Sequence, residues 1–341
     1  MSKILITGAA GFIGSQLAYK FWKEGEELTI LDDFSYGKED NLIFDDHFFT
    51  DEILRMDIRD VEKMEQLFKE KSFDYVYHIA AVTPLPDCQT MPEYAMDVNI
   101  RGTIIVLELA RKYGVKNVVF ASTSAVYENC TTFPTKEEDV VQPTLLYSTS
   151  KYTGEQFCKS YVDAYGMNVT VLRFANVYGP HIDCLRTQPP VAGYIIRELF
   201  FNKPVELHSD GNQRRDFVYV DDLLNLASLV RDNEGFDIFN VSTGETHTIN
   251  EMSDIIKGLM GKEDAEVRYL ETSHYWYRYP ELYEGAYPIN PKVMDHEVLK
   301  HTECSYQHAY EKYGWKPVTD FATGLKKTID FSVEVISRNN G

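Results

Sequence analysis

The residues best equipped for chemistry are Tyr147 and Lys151, spaced Y-x-x-x-K and lying downstream of a hydroxyl cluster at Ser122, Thr123 and Ser124. On a helix this spacing stacks both side chains on one face, with the ammonium beside the phenol. A free phenol, with a pKa of about 10, stays protonated at neutral pH, whereas a neighbouring cation favours the phenolate. The expectation is a Tyr147 pKa below the ordinary value and an oxygen able to take a proton from a hydroxyl group. Redox chemistry at a carbinol carbon makes that demand. Because the same spacing arises by chance on solvated helices, the surrounding elements decide its meaning.

Those elements begin with residues 4–14, ILITGAAGFIG, in which an apolar run leads into Gly8, Gly11 and Gly14 and then an amphipathic stretch ending near Gly25. A strand, a tight glycine turn and a helix N-terminus in that order cradle a pyrophosphate: glycine admits close backbone approach, and the helix end faces negative charge. The spacing, G-x-x-G-x-x-G, differs from the G-x-G-x-x-G of common dehydrogenases, and its position at a strand end gives it weight. Asp32 and Asp33 close the next apolar run. At about 20 residues past the loop, a carboxylate binds ribose hydroxyls and repels a 2′-phosphate. NAD is therefore the expected cofactor, in preference to NADP.

Further short runs at residues 28–31, 75–79, 118–121 and 169–174 alternate with helical stretches and are apolar almost throughout. That is the pattern of strands covered on both faces of a parallel sheet. The expected fold class is α/β, a doubly wound parallel sheet with a smaller C-terminal lobe. Past Gly179-Pro180 the alternation loosens into Pro189-Pro190, a helical run through Arg197 and a tyrosine-rich stretch at 269–287. The expected division is a dinucleotide-binding domain at 1–180 and a substrate lobe at 181–341. The chain is expected to return to the first domain around 216–262, through a strand at 237–241.

Composition narrows the function classes. Of 341 residues, 44% are hydrophobic and 26% charged, as in ordinary folded proteins. The net charge of -19 speaks against a nucleic-acid partner, which requires a basic face. Cys88, Cys130, Cys158, Cys184 and Cys304 are scattered and lack C-x-x-C spacing, so neither a disulfide framework nor a zinc site is expected. His274, His296, His301 and His308 lie in the polar C-terminal lobe without ligand spacing and are read as solvated or structural, so no metal is expected. Lys3 runs straight into Ile4-Leu5-Ile6, and no apolar run reaches membrane-spanning length. A cytoplasmic protein without a membrane partner is the expectation.

With these residues in view, the chain resembles the extended short-chain dehydrogenase/reductase family, in particular its nucleotide-sugar epimerases and dehydratases, over nearly its whole length. Beyond the glycine loop, Asp57-Ile58-Arg59-Asp60 is similar to the family's adenine-side motif, and His78-Ile79-Ala80-Ala81 to the strand end that lines the cofactor. Asn99 with Gly102-Thr103 fits as well. Arg173-Phe174-Ala175-Asn176-Val177-Tyr178-Gly179-Pro180 and Arg215-Asp216-Phe217-Val218-Tyr219-Val220-Asp221-Asp222 resemble the segments that embrace the sugar nucleotide.

The resemblance implies roles. Gly8, Gly11, Phe12, Ile13 and Gly14 would hold the pyrophosphate of NAD, and Asp32, Asp33, Asp57 and Ile58 its adenosine side. Ala80, Ala81 and Asn99 would line the rest, with Tyr147 as base and Lys151 on the nicotinamide ribose. Thr123 would hydrogen-bond the reacting sugar oxygen, and Ser124 would share or replace that role. Asn176 and Arg215 would contact the diphosphate or sugar, Arg278 a second phosphate, and Thr83 lies beside the sugar site. Arginine suits charge-assisted contacts of this kind. Taken singly, Arg186, Arg214 and Arg278 each read more readily as surface residues than as ligands.

Departures from the family discriminate among reactions. Its dehydratases carry an Asp-Glu pair directly after the catalytic threonine, as acid and base for elimination. Here those positions are Ser124 and Ala125. UDP-glucuronate decarboxylases usually keep the glutamate that Ala125 replaces, so both activities lose support. Glu128 stands where glycine usually follows Val-Tyr, and Thr83-Pro84-Leu85-Pro86-Asp87-Cys88-Gln89 is unusual beside the expected sugar site. Cys130 as an acid for C3 or C5 epimerisation lacks a base paired with it. The expectation is an NAD-dependent nucleotide-sugar epimerase acting at C4 of a UDP-hexose, or its uronic or N-acetyl derivative, through a transient 4-keto sugar. It would work as a homodimer joined through helices at 96–113 and 150–165. A dehydratase, decarboxylase or net oxidoreductase on the same scaffold is the alternative. A non-catalytic NAD-binding protein is disfavoured by the intact Thr123, Tyr147 and Lys151.

Overall fold

Seven apolar runs pair in parallel to make one sheet: β1 (Lys3–Thr7), β2 (Glu27–Asp32), β3 (Ile53–Arg55), β4 (Tyr75–His78), β5 (Asn117–Thr123), β6 (Val169–Phe174) and β7 (Phe236–Val241). The computed structural model describes residues 1–50 and 52–340, apart from the side chains of His274 and Asn340. The reading of His274 therefore lies outside the described residues. The spatial order is β7-β6-β5-β4-β1-β2-β3. The chain winds from β1 out to β3, then crosses back to β4 on the other side. Such a switch point opens a crevice at the carboxyl ends of the strands, where open α/β sheets bind ligands.

Alternation along each strand builds a core on both faces. Ile4 and Ile6 join Leu17, Phe21 and Tyr77 on one side, while Leu5 joins Leu31, Val76 and Phe120 on the other. Each fully buried side chain of this size contributes about 1.5–3 kcal/mol. Every residue of β4 and β6 is buried. Register then fixes the chemistry-bearing ends: Thr7 lies beside Leu31 and His78, and Thr123 beside Phe174.

Two helices matter most for position. Phe12–Lys23 starts on Gly11 without a side-chain cap and carries Lys20 and Lys23 in its last turn, where they complement the helix dipole. Leu146–Tyr165 carries Tyr147 in its first turn and ends on Gly166 at a φ of 68°, the left-handed conformation that suits glycine.

The second lobe is woven from later segments. Arg214–Tyr219 pairs in parallel with Asn176–Tyr178 and antiparallel with Thr246–Thr248, and Val205–His208 pairs with Val267–Leu270. A capping box of Thr248 and Glu251 starts the helix Ile249–Leu259. Trp276 is 1% exposed and packs with Leu145 and Met294, anchoring the tyrosine-rich stretch over the sheet. Between Arg214–Tyr219 and Thr246–Thr248 the chain runs back to supply β7.

Candidate active site

A cavity of about 590 Å³ runs from the glycine loop, past the ends of β4 and β5, to the second lobe. At its first end Gly8 and Gly14 are required by space. A Cβ on Gly14 would lie 2.1 Å from the Gly8 carbonyl oxygen, and one on Gly8, whose φ is +72°, 2.7 Å from the Ala80 Cα. Gly11, Phe12 and Ile13 line the same wall. The first amides of a helix lack intrahelical acceptors, and this helix has no side-chain cap, so they are free to meet an anion.

Asp32 is 7% exposed and accepts from the amides of Ala10 (2.9 Å) and Phe34 (2.8 Å). It thereby ties the glycine loop to β2, and its burial pushes its carboxyl pKa up. Asp33 accepts from the Ser35 amide at 2.9 Å, and both carboxylates line the cavity. Asp57 and Ile58 follow, and the Arg59 guanidinium, 2.6 Å away, holds the Asp57 carboxyl below the usual range. Thr7, His78 and Thr103 form a buried chain of contacts at 2.8 Å and 3.0 Å. Burial takes His78 down to about 3, which makes it a neutral bridge that leads into Ala80 and Ala81. A glycine cradle that a Cβ would fill, an uncapped helix end and two carboxylates suit the pyrophosphate and ribose of NAD.

Asn99 stands behind this wall, and does not line the cavity as the other expected cofactor contacts do. Its amide accepts from the Val82 amide (2.8 Å) and donates to the Val82 carbonyl (2.9 Å) and Ser150 Oγ (3.0 Å). With those partners it shapes the chain leaving β4.

At the centre, Thr123 ends β5, accepts from the Ala125 amide at 3.1 Å and faces the phenol of Tyr147. Lys151 lies one turn further along the helix. The expected lowering of the phenol pKa is not what these side chains produce. Burial raises Tyr147 above its ordinary value, Cys88 adds to the rise, and Thr123 and Arg186 only oppose it. Lys151 donates to the Ala121 carbonyl at 2.9 Å and sits 5.0 Å from the Phe120 ring centroid, committed to the sheet and not aimed at the phenol. Burial also lowers Lys151 itself to about 8. Beneath, Ser122 Oγ contacts Glu155, which pairs with Arg173 at 2.7 Å and braces the helix against β5 and β6.

Toward the second lobe the cavity is lined by Thr83, Ser124, Ala125, Asn176, Arg186, Arg215 and Arg278. Asn176 donates to the Asp216 carbonyl at 2.9 Å. Arg215 donates to the carbonyls of Glu297 (3.1 Å) and Val298 (2.9 Å), and Arg278 to that of Thr187 (2.6 Å). Arg186 donates through Nε to the Gln188 carbonyl at 2.6 Å. Backbone oxygens orient these three guanidinium groups without neutralising them, which is an anion-binding arrangement in a protein of net charge -19. Arg214 instead stays at the surface, with Thr246 Oγ1 at 2.7 Å and Glu251 at 3.7 Å.

Two features have no local sequence pattern. Arg186, expected at the surface, takes its place in the cavity wall through the turn around Asp183. A tie of Tyr36, Asp87 and Tyr279 was not foreseen: both phenols donate to the Asp87 carboxylate at 2.8 Å, joining the cofactor loop to the second lobe. Cys130 lies outside the cavity lining, with its thiol against the Thr132 carbonyl. His296, His301 and His308 contact the Glu128 carbonyl (2.6 Å), Glu303 (3.2 Å) and Asp237 (2.9 Å). Among the described residues no cluster of metal-ligating side chains occurs.

Known proteins are similar to this chain along almost its whole length. A putative UDP-glucose 4-epimerase of Methanocaldococcus jannaschii is 32% identical over 96% of this chain and 97% of its own. A UDP-glucuronate 4-epimerase of Thermodesulfobacterium geofontis is 28% identical over 98% of each. The solved UDP-glucose 4-epimerase of Thermotoga maritima with UDP-glucose has a TM-score of 0.85 at 30% identity, covering 98% of this chain and 99% of that one. Residues 4–242 match the family model of NAD dependent epimerases and dehydratases. With that family model spanning most of the chain and a relative 32% identical along nearly its whole length, the chain belongs to the NAD dependent epimerase/dehydratase family.

Proposed function

We propose that this protein is an NAD-dependent nucleotide-sugar epimerase that inverts C4 of a UDP-hexose or a derivative of one. The observation that carries the reading is a single cavity joining the glycine cradle to Arg215 and Arg278, with Thr123 and Tyr147 between them and Ala125 where an elimination would need a carboxylate base. NAD, when bound, supplies a reversible two-electron acceptor for a carbon-bound hydrogen. Phe12, Ile13 and the glycines hold its pyrophosphate, Asp32 and Asp33 its ribose, and Lys151 the nicotinamide end.

Tyr147 takes the proton of the C4 hydroxyl as the carbon is oxidised and returns it after the sugar has turned its other face. Thr123 holds the hydroxyl oxygen in line with the phenol, and Ser124 is placed to share that contact. Arg215 and Arg278 grip the diphosphate, leaving the sugar free to rotate. Burial raises the Tyr147 pKa, and the Thr123 hydroxyl and the Arg186 cation oppose that rise.

Proton NMR of the purified protein with UDP-, GDP-, CDP- and dTDP-sugars, without added cofactor, tests the reading. A C4-inverted product is expected, and Tyr147→Phe should lower turnover by at least about a thousandfold while folding is retained. A dehydrated or decarboxylated product, or an active Tyr147→Phe enzyme, would overturn it.

One observation favours a uronic sugar among the candidates. Arg186 faces the cavity on the Tyr147 side, and Arg215 with Arg278 already provides a cation for each phosphate. A sugar carboxylate gives the third guanidinium a partner. A relative named UDP-glucuronate 4-epimerase is consistent with that choice. We further propose a homodimer, joined through the helix Thr103–Tyr113 and the helix of Tyr147, and a cytoplasmic location, which suits five free cysteines. No helix among the described residues is long and apolar enough to cross a membrane.

A further inference from the structure

Tyr147 occupies the first turn of its helix, where amides lack intrahelical acceptors and helices fray. The N-cap residue is Leu145, which offers no side-chain acceptor. Acceptors come instead from two other parts of the chain. The Glu128 carboxylate accepts through Oε2 from the amides of Thr144 (2.5 Å) and Leu145 (3.1 Å) and from Thr144 Oγ1 (2.7 Å), and through Oε1 from Ser148 Oγ (2.5 Å). Gln89 Oε1 accepts from the Leu146 amide at 2.8 Å.

These bonds fall on residues to either side of Tyr147. Glu128 is 5% exposed, and among the described residues no lysine or arginine pairs with it, so its carboxylate serves only this turn. An acidic group is also favoured at a helix N-terminus by the aligned peptide dipoles. The Glu128 carbonyl meets His296 Nε2 on the helix Pro291–Leu299, whose carbonyls at Glu297 and Val298 hold Arg215.

We propose that Glu128 and Gln89 are positioning residues for Tyr147, forming a cap built from outside the helix that holds the phenol opposite Thr123. The proposal rests on the epimerase reading for its kinetic test, and a second readout is independent of it.

Gln89→Met, Gln89→Glu and Glu128→Gln are compared with the native enzyme carrying its NAD. Gln89→Met and Glu128→Gln should each lower kcat about tenfold, with KM for the sugar nucleotide within about threefold and bound NAD unchanged, the signature of misplacement rather than lost binding. Gln89→Glu keeps an acceptor for the Leu146 amide and should stay within about threefold of native kcat. A lower melting temperature with unchanged kcat, or a Gln89→Glu enzyme as slow as Gln89→Met, overturns the proposal. Should Glu128→Gln fail to fold, the Gln89 pair decides alone. Hydrogen exchange supplies the independent readout: amides in the first turn of the Tyr147 helix should exchange about tenfold faster in Gln89→Met than in the native protein. Equal exchange overturns the positioning role. A native enzyme that epimerises no sugar nucleotide would overturn the functional reading while this arm still decides the cap.

Discussion

At Tyr147, desolvation raises the phenol pKa while the Thr123 hydroxyl and the Arg186 charge oppose it, and desolvation prevails. The spacing to Lys151 was legible in the sequence, as was the hydroxyl cluster ending at Ser124. The direction of the lysine was not, because it depends on the Ala121 carbonyl and on how deeply the helix sinks into the sheet. Arg186 teaches the same lesson with the opposite sign. Its chemistry suggested a solvated surface, and the fold turned it into the cavity. If Arg186 reads a sugar carboxylate, Arg186→Gln should reduce kcat/KM for UDP-glucuronate about 30-fold more than for UDP-glucose, since removing one partner of a desolvated charge pair costs about 2 kcal/mol or more. Steady-state rates on the two substrates measure this. Equal losses would make Arg186 a diphosphate or structural residue and would remove the case for a uronic sugar.

Among the elements, the strands read most clearly are those whose residues are apolar on both faces. Residues 169–174 were placed to the residue, and 28–31 and 118–121 fell inside slightly longer strands. β3 was missed: it has three residues, one of them Arg55, at the sheet edge beyond β2, where little burial is imposed on the sequence. The stretch at 269–287 gave only a composition, since its shape depends on Trp276 finding a pocket between Leu145 and Met294. The glycine loop was legible because sterics leave no other residue type at Gly8 and Gly14. Gly14→Ala would place a methyl 2.1 Å from the Gly8 carbonyl oxygen and push the helix off the loop. NAD co-purifying with the variant, measured by absorbance after acid release, should fall about tenfold or more, equivalent to about 1.4 kcal/mol or more of binding. Full NAD content would show that the loop does not carry the pyrophosphate.

For the molecule as a whole, association is expected through the outer faces of Thr103–Tyr113 and Leu146–Tyr165. Tyr165 is 58% exposed there, with Arg111 4.8 Å from its ring centroid. Light scattering should give twice the mass of one chain, and Tyr165→Glu should shift the protein toward monomer at micromolar concentration, because a charge in the core of such an interface is poorly tolerated. A native monomer would end this view.

The order in which the chain visits its two lobes also limits how the protein can diversify. A fragment stopping at residue 180 lacks β7, so β6, buried along its whole length, would present a raw hydrogen-bonding edge to other chains. The second lobe cannot be traded as a cassette by recombination at one boundary. On the proposed reading, new substrate preferences on this scaffold are expected to arise by point changes within that lobe, with the sheet inherited intact.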